Sequence, residues 1–327
     1  MNIHSTVKLD DFEQGQYSTT ILKEVLAGLS KNQKSLPAKL LYDKRGSEIF
    51  EKICLLKEYY PTRAETEILK NYASEIARIV GPNAFIIEPG SGSGDKIRFL
   101  LPHLVHLETY MPIEISKEIL SRMSNELSEE FPKLKLRPVC ADFNLDFERL
   151  DLLGSERSKK VVFFPGSTIG NFTPMEAAGF LKKISRFIDK EGGLLIGVDL
   201  KKDPQILINA YDDPHGVTAD FNLNLLDRLN RDAFASFDSN NFEHRAVYNE
   251  KAGRIEMHLV SKMDQLVKVN ETMFRFKKGE SIHTENSYKY TTDEFIALCD
   301  KAKLTIKKIW KDSLDQFCVY YFVKDNK

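Results

Sequence analysis

Residues 86–94 read Ile86-Ile87-Glu88-Pro89-Gly90-Ser91-Gly92-Ser93-Gly94: an apolar run, an acid, then three glycines at alternate positions. A buried strand that ends on a carboxylate and turns through glycines lets the backbone approach a ligand closely. Two chemistries compete for such a loop. A dinucleotide site needs G-x-G-x-x-G, so that pyrophosphate sits on a helix N-terminus. Here the last glycine of that spacing falls at Asp95, whose charge opposes phosphate. The other chemistry is a ligand without phosphates, with Glu88 facing a cationic group such as the methionyl amino group of S-adenosylmethionine. A plain structural turn also fits a glycine cluster taken alone. Two later acids add weight. Glu114 closes the next apolar run, where it can accept both ribose hydroxyls. Asp142 and Phe143 follow a third, where an acid can accept an adenine amino group and an aromatic can stack. A single carboxylate is ordinarily a solvated charge. Three acids after three successive strands would meet at the carboxyl edge of an open sheet, where α/β proteins bind ligands.

The elements that must position these residues follow from periodicity. Between about Thr62 and Glu191, short apolar runs alternate with amphipathic stripes. Thr62-Arg63-Ala64-Glu65 has the pattern of a capping box opening a helix with Leu69, Tyr72, Ile76 and Ile79 on one face. Strands are expected at Ala84–Ile87, Thr109–Ile115, Leu136–Cys140, Lys160–Phe164 and Gly193–Leu200. Helices are expected from Lys96 to Leu101, along the stripe Ile119, Leu120, Met123 and Leu127, and after the capping box Thr173–Glu176 with its Pro174. This alternation predicts a parallel sheet covered by helices on both faces. The last forty residues return to the theme: a capping box at Thr291–Glu294, a helix over Phe295–Lys301, and an antiparallel pair, Leu304–Trp310 and Gln316–Val323. Residues 201–287 differ. A helix around Phe221–Arg231 precedes two strands, Phe242–Tyr248 and Arg254–Lys262, joined by a hairpin signal at Asn249–Gly253. This stretch is too long for a loop. The expected organisation is therefore a ligand-binding domain over 63–200 and 288–327, and a substrate-side domain over 1–62 and 201–287.

Composition excludes several classes. The 327 residues carry 47 Lys+Arg against 48 Asp+Glu, a net charge of −1, with 42% hydrophobic and 29% charged residues. That is a globular chain without the basic footprint of a nucleic-acid binder. No stretch approaches the roughly 20 apolar residues of a membrane span. The N-terminus carries Asp10, Asp11 and Glu13 rather than a signal peptide's basic and apolar regions. Four cysteines, Cys54, Cys140, Cys299 and Cys318, show no metal or disulfide spacing. His103 and His106 alone do not make a zinc site. The expectation is a cytoplasmic monomer with a small-molecule partner and no metal.

Longer motifs carry a resemblance. The chain is similar to class I S-adenosylmethionine-dependent methyltransferases, and within them to the histidine-specific N-alpha-methyltransferases of the ergothioneine pathway. The resemblance covers nearly the whole chain and rests on Ser35-Leu36-Pro37-Ala38-Lys39, Tyr42-Asp43 with Gly46-Ser47, and Glu58-Tyr59-Tyr60-Pro61-Thr62-Arg63. It continues through Gly166-Ser167-Thr168-Ile169-Gly170-Asn171, Ala210-Tyr211-Asp212-Asp213, Arg254-Ile255-Glu256-Met257 and His283-Thr284-Glu285-Asn286-Ser287. It implies a Rossmann-like methyltransferase sheet with a second, substrate-binding domain. For the cofactor it implies Tyr42, Gly90, Lys96, Glu114, Asp142 and Phe143, beside Glu88 and Gly92 of the loop. The family often has Asp at the position of Glu114, and Thr/Ser and Glu near Ser93-Gly94-Asp95.

For the substrate, the resemblance implies that Asn171 and Tyr211 hold the carboxylate and amino group of an amino acid. Tyr59, Glu285 and Ser287 would hold an imidazole, with Phe50, Gly166, Thr168 and Met257 lining the pocket. Taken without that context, Tyr59 and Tyr211 read as packing and Glu285 as a surface charge; His283 receives no role. The stretch Pro165-Gly166-Ser167-Thr168 stands where a nucleic-acid amino-methylase has (Asp/Asn)-Pro-Pro-(Tyr/Phe), which argues against base methylation. Methyl transfer is an in-line displacement by an unprotonated amine, and positioning contributes most of its acceleration. The implied reaction is trimethylation of the histidine α-amino group to the betaine hercynine, with Tyr42 and Asn171 as catalytic residues beside the growing ammonium. Tryptophan or tyrosine as acceptor, or a catalytically silent cofactor-binding protein, are the alternatives.

Overall fold

The computed structural model of the protein describes residues 10–11, 17–142 and 159–325. Chain contacts divide it into two units: Met1–Phe12, Pro61–Lys201 and Tyr290–Lys327 form the first, Glu13–Tyr60 and Lys202–Lys289 the second.

The first unit is built on continuous apolar strands. β3 (Ala84–Pro89) is buried at all six positions, and β7 (Gly193–Asp199) at all seven. Uninterrupted runs of this kind belong to strands covered on both faces. With β1 (Asp10–Asp11), β4 (Thr109–Glu114), β5 (Val139–Cys140), β6 (Lys159–Phe164), β13 (Leu304–Lys311) and β14 (Phe317–Lys324) they make an eight-stranded sheet of order β1-β5-β4-β3-β6-β7-β14-β13. Pairing is parallel from β1 to β7 and antiparallel at β14 and β13. Strand order reverses beside β3, so β3 and its neighbours open a crevice at their carboxyl ends. This is the Rossmann-like sheet expected from the sequence. The helix α3 (Tyr60–Val80) packs Ile68, Leu69, Ile76 and Val80 in one core with Ile86, Tyr110 and Val161 of the strands.

Several expectations change. Thr62 lies inside α3, and Glu65 is spent elsewhere rather than in a capping box. The boxes at Thr173–Glu176 and Thr291–Glu294 both close, with each threonine hydroxyl and each glutamate carboxylate engaged. The helix expected over Lys96–Leu101 is a four-residue turn, α4 (Asp95–Arg98), continued by a 3-10 turn at Leu101–His103. Within the span expected as strand from Leu136, only Val139–Cys140 pair as a strand; Leu136 makes an isolated bridge to Tyr110. Asp10 and Asp11 belong to the first unit rather than the second, because they pair with Val139 and Cys140. His103 and His106 are exposed, outside any regular α-helix.

The second unit holds a four-stranded sheet of order β2-β12-β9-β8, made by β2 (Lys34–Ser35), β8 (Phe242–Asn249), β9 (Arg254–Ser261) and β12 (Ser281–Tyr288). β8 and β9 form the expected hairpin. A second hairpin, β10 (Gln265–Val269) with β11 (Thr272–Phe276), lies in a stretch where no strand was expected. Helices α1 (Tyr17–Leu29) and α2 (Lys44–Leu55), with helices over Pro204–Tyr211 and Val217–Asp232, complete the unit. Val25, Ile53, Leu225 and Leu229 share its core with Met257 and Leu259. β12 breaks register between His283 and Glu285. Ile282 and Thr284 are buried before the break, Glu285 and Ser287 after it. The bulge shifts the parity of the strand and carries Glu285 to the inner face, which is how bulges re-aim side chains.

Candidate functional site

In the first unit, the glycine loop leaves β3 with Gly90, Gly92 and Gly94 all left-handed, at φ of 69°, 53° and 70°. Only glycine adopts that conformation without strain. Gly90 and Ser91 both donate their amides to Ile113 O of β4 (2.8 and 3.1 Å), and Gly92 donates its amide to Glu114 Oε2 (3.1 Å). Glu114 Oε1 accepts from Ile115 and Ser116 (2.9 and 3.1 Å). The carboxylate therefore uses three of about four acceptor sites on backbone. It can take one further donor, a correction to the expectation that it accepts both ribose hydroxyls. Asp142 follows β5 and is buried; Phe143 lies outside the described residues.

Glu88 also differs from expectation. It is buried inside the sheet layer and accepts the Tyr110 hydroxyl at 2.5 Å. Burial pushes its carboxyl up to about 8, against the opposing pull of that hydrogen bond. One oxygen of this carboxyl is thus engaged by Tyr110 within the sheet layer, where the sequence has it facing a cationic group.

Lys96, in the turn after the loop, pairs with Glu65 of α3 at 2.6 Å. Glu65 also accepts the Gly166 amide at 2.9 and 3.0 Å. This carboxylate is 1% exposed, and a Cβ at position 197 would meet its Oε1 at 1.9 Å, so Gly197 of β7 is the space Glu65 occupies. Gly166 begins the loop after β6 that leads to a 3-10 turn, Thr168–Asn171; Thr168 donates its hydroxyl to Pro165 O (3.0 Å), and Asn171 ends the turn half-buried. The edge suits S-adenosylmethionine better than a phosphate ligand. Its acids follow strand ends, and its basic residues are paired, Lys96 with Glu65 and Arg98 with Glu126 and Glu130. Replacing Glu114 with Gln keeps one acceptor oxygen but loses the charge. S-adenosylhomocysteine is then expected to bind about tenfold more weakly by titration calorimetry, the loss typical of one charge-assisted hydrogen bond.

In the second unit, Phe50, Ile53, Tyr59, Ala210, Tyr211, Thr218, Phe221, Met257 and Glu285 line one cavity. Tyr42 joins its wall through edge contacts with Phe50 and Phe221 at 5.5 and 5.4 Å between ring centroids; Tyr59 meets Phe50 and Tyr211 at 6.0 Å each. One carboxylate sits in this aromatic surround. Glu285 is 9% exposed, and its Oε2 has no hydrogen-bond partner. Burial pushes its carboxyl up to about 7, with the Lys289 ammonium pulling the other way. Ser287, two residues on, shares a 2.7 Å hydrogen bond with the Tyr211 hydroxyl. The structure thus brings together Tyr42, Phe50, Tyr59, Tyr211, Met257, Glu285 and Ser287 in one unit. Gly166, Thr168 and Asn171 lie in the other.

Lys289 was not anticipated. It is 2% exposed and donates to Ser287 Oγ (2.7 Å) and Tyr211 Oη (3.0 Å). Phe221 and Glu65 were also missed. Phe221 lies on a helix stripe that reads as ordinary core, and Glu65 imitates a capping residue. A lysine two positions after Ser287, just past the end of β12, was the available signal for Lys289. Among the described residues, Glu256, His258 and His283 place metal-ligand-type atoms within 4.8 Å of one another. Each residue has a polar atom engaged in a protein contact: Glu256 with Arg254 at 2.7 Å, His258 with Glu256 at 3.1 Å, and His283 Nε2 with Glu285 O at 3.0 Å. The last contact pins the bulge that aims Glu285.

The raised Glu285 carboxyl has a stability consequence. Its folded value of about 7 exceeds the ordinary 4.5. The folded state therefore holds the extra proton between these values, and stability falls as pH rises through that window. Glu285→Gln removes the titration. The variant is expected to melt close to wild type at pH 5 and several degrees higher at pH 8; a difference independent of pH would show that Glu285 does not carry a buried charge.

The family described as "Histidine-specific methyltransferase, SAM-dependent" matches residues 21–324. The histidine N-alpha-methyltransferase of Mycobacterium tuberculosis (strain CDC 1551 / Oshkosh) is 38% identical over 300 residues, covering 90% of this chain and 92% of that one. Ergothioneine biosynthesis protein 1 of Schizosaccharomyces pombe is 28% identical over 88% of this chain and 39% of its own length. A 4-dimethylallyltryptophan N-methyltransferase of Penicillium roqueforti is 28% identical over 93% of each.

Proposed function

The chain belongs to the histidine-specific, S-adenosylmethionine-dependent methyltransferase family, and from that premise we propose that it trimethylates the α-amino group of L-histidine to hercynine. The observation that supports an acceptor whose side-chain ring carries an N–H is Glu285 Oε2, a buried acceptor without a partner in a cavity lined by Phe50, Tyr59, Tyr211, Phe221 and Met257. A buried polar atom of this kind is costly until a donor reaches it. An imidazole N–H is such a donor, and the surrounding rings suit a flat heterocycle.

The cofactor, when bound, supplies an electrophilic methyl group on a sulfonium. The chain's residues have the remaining tasks. Gly90, Gly92, Glu114 and Asp142 hold the nucleotide portion, while Lys96 is fixed by Glu65. Tyr59, Glu285 and Ser287 orient the ring, with Phe50, Thr168, Gly166 and Met257 shaping its surround. Asn171 and Tyr211 hold the amino acid's carboxylate and amino group, and Tyr42 and Asn171 attend the nitrogen as it gains methyl groups. The neutral amine is the nucleophile, and water suffices to take its proton. Asn171→Ala is expected to lose most histidine turnover while still binding S-adenosylhomocysteine. Among the described residues no helix is long and apolar enough to cross a membrane. All four cysteines are free thiols, which supports a reducing, cytoplasmic setting.

The test is direct. The protein is incubated with S-adenosylmethionine and each of the twenty amino acids, and products are read by mass. A gain of three methyl units on histidine alone is expected. Methylation of tryptophan or tyrosine in preference to histidine, or cofactor binding with no product, would refute the reading.

A further inference from the structure

An N–H acceptor alone does not select histidine, because an indole donates to Glu285 as well as an imidazole does. What separates the rings is the second nitrogen: a neutral imidazole offers one N–H and one bare nitrogen. A selective cavity needs a fixed donor beside its acceptor. Ser287 and Tyr211 share one hydroxyl proton at 2.7 Å, and such a pair can in general donate or accept toward a ligand. Lys289 removes that ambiguity. Its ammonium has donors and no acceptor, and it reaches Ser287 Oγ at 2.7 Å and Tyr211 Oη at 3.0 Å. When Tyr211 donates to Ser287, the serine oxygen accepts twice and both its lone pairs are filled. Its own proton is then all it has left to offer. Glu285 and Ser287 are both buried on the same face of β12, two residues apart. That spacing is about 6.6 Å along a strand, a span that a five-membered ring with a hydrogen bond at each nitrogen can bridge.

We propose that Lys289 is a positioning residue that holds the Tyr211–Ser287 hydroxyl pair as a donor, so that the cavity matches a ring carrying one N–H and one bare nitrogen. The inference rests on the histidine reading and assigns the origin of its selectivity. Lys289 touches neither the acceptor nitrogen nor the methyl donor in this account; it acts through Ser287.

The experiment compares kcat/KM for L-histidine with that for 3-(pyrrol-2-yl)alanine, whose ring has the N–H and lacks the second nitrogen. Wild type is expected to favour histidine by on the order of 10³ or more, the scale on which sites built to hydrogen-bond a group reject analogues lacking it. Lys289→Met is expected to lower that ratio at least about tenfold, chiefly by losing histidine, and to do nothing further to the ratio when Ser287 is already alanine. Lys289→Arg, which keeps the donors, restores the preference. Should the methionine variant not fold, Lys289→Gln carries the test, since its amide adds an acceptor and is expected to lower the ratio too. A ratio unchanged in Lys289→Met or Lys289→Gln, with only kcat or Tm reduced, would overturn the proposal. Wild-type protein that leaves histidine unmethylated would sink the histidine reading itself, which is a separate outcome.

Discussion

Glu285→Ala is expected to lower kcat/KM for histidine by about 10²–10³-fold while leaving Tm at or above the wild-type value. The two halves of this result have one cause. Glu285 is buried, its Oε2 has no internal partner, and burial holds its carboxyl near 7. A group in that condition costs the fold free energy, so deleting it relieves the apo protein instead of breaking a contact. Histidine loses the acceptor for its ring N–H. Leaving one member of a buried, charge-assisted hydrogen bond unpaired costs about 2–5 kcal/mol. The loss enters both KM and kcat, because ring binding remote from the reacting nitrogen also contributes to its orientation. Binding of S-adenosylhomocysteine is the control and is expected to be unchanged. A stability loss without a change in histidine turnover would reverse the assignment and make Glu285 a structural acid.

Glu65→Ala should have the opposite signature, a large loss of stability in the first unit. Its carboxylate is 1% exposed, lies 2.6 Å from Lys96 Nζ, and accepts the Gly166 amide. Removing one partner of a buried pair leaves the other charge uncompensated, at a cost of about 3–5 kcal/mol. Lys96 is 23% exposed, so water recovers part of this, and the lower end is expected. Glu65→Gln retains an acceptor for the Gly166 amide and should lose less. The readout is built into the chain. Its single tryptophan, Trp310, is buried in β13 of the same unit and donates to Glu75 at 3.1 Å. Urea unfolding followed by tryptophan fluorescence should show the midpoint fall in the order wild type, Gln, Ala. Equal midpoints would mean that the ion pair contributes nothing.

These two acids also mark what could be read from sequence. The parallel sheet was legible because its strands are continuous apolar runs separated by amphipathic stripes, and two capping boxes announced their helices. The glycine loop was legible because three glycines at alternate positions follow a buried strand and acids follow the next two. Glu65 was misread because Thr62-Arg63-Ala64-Glu65 satisfies a local pattern, while the residues that claim its carboxylate, Lys96 and Gly166, are distant in sequence. Glu88 looked like a ligand acid, but only the register of β3 against β4 reveals that Tyr110 meets it. Glu285 and Ser287 emerged from family resemblance; strand alternation alone, counted from Ile282 and Thr284, puts Glu285 on the outer face. The bulge that reverses this is a tertiary feature, pinned by His283 and a shifted register, and no local propensity encodes it. Lys289 was passed over because a lysine near a strand end ordinarily reads as solvated.

The most direct test of the account is a crystal structure of the protein with L-histidine and S-adenosylhomocysteine. The imidazole is expected within hydrogen-bond distance of Glu285 Oε2, with its second nitrogen facing Ser287. A ring that lies elsewhere, with Glu285 Oε2 still lacking a donor in the complex, would contradict it.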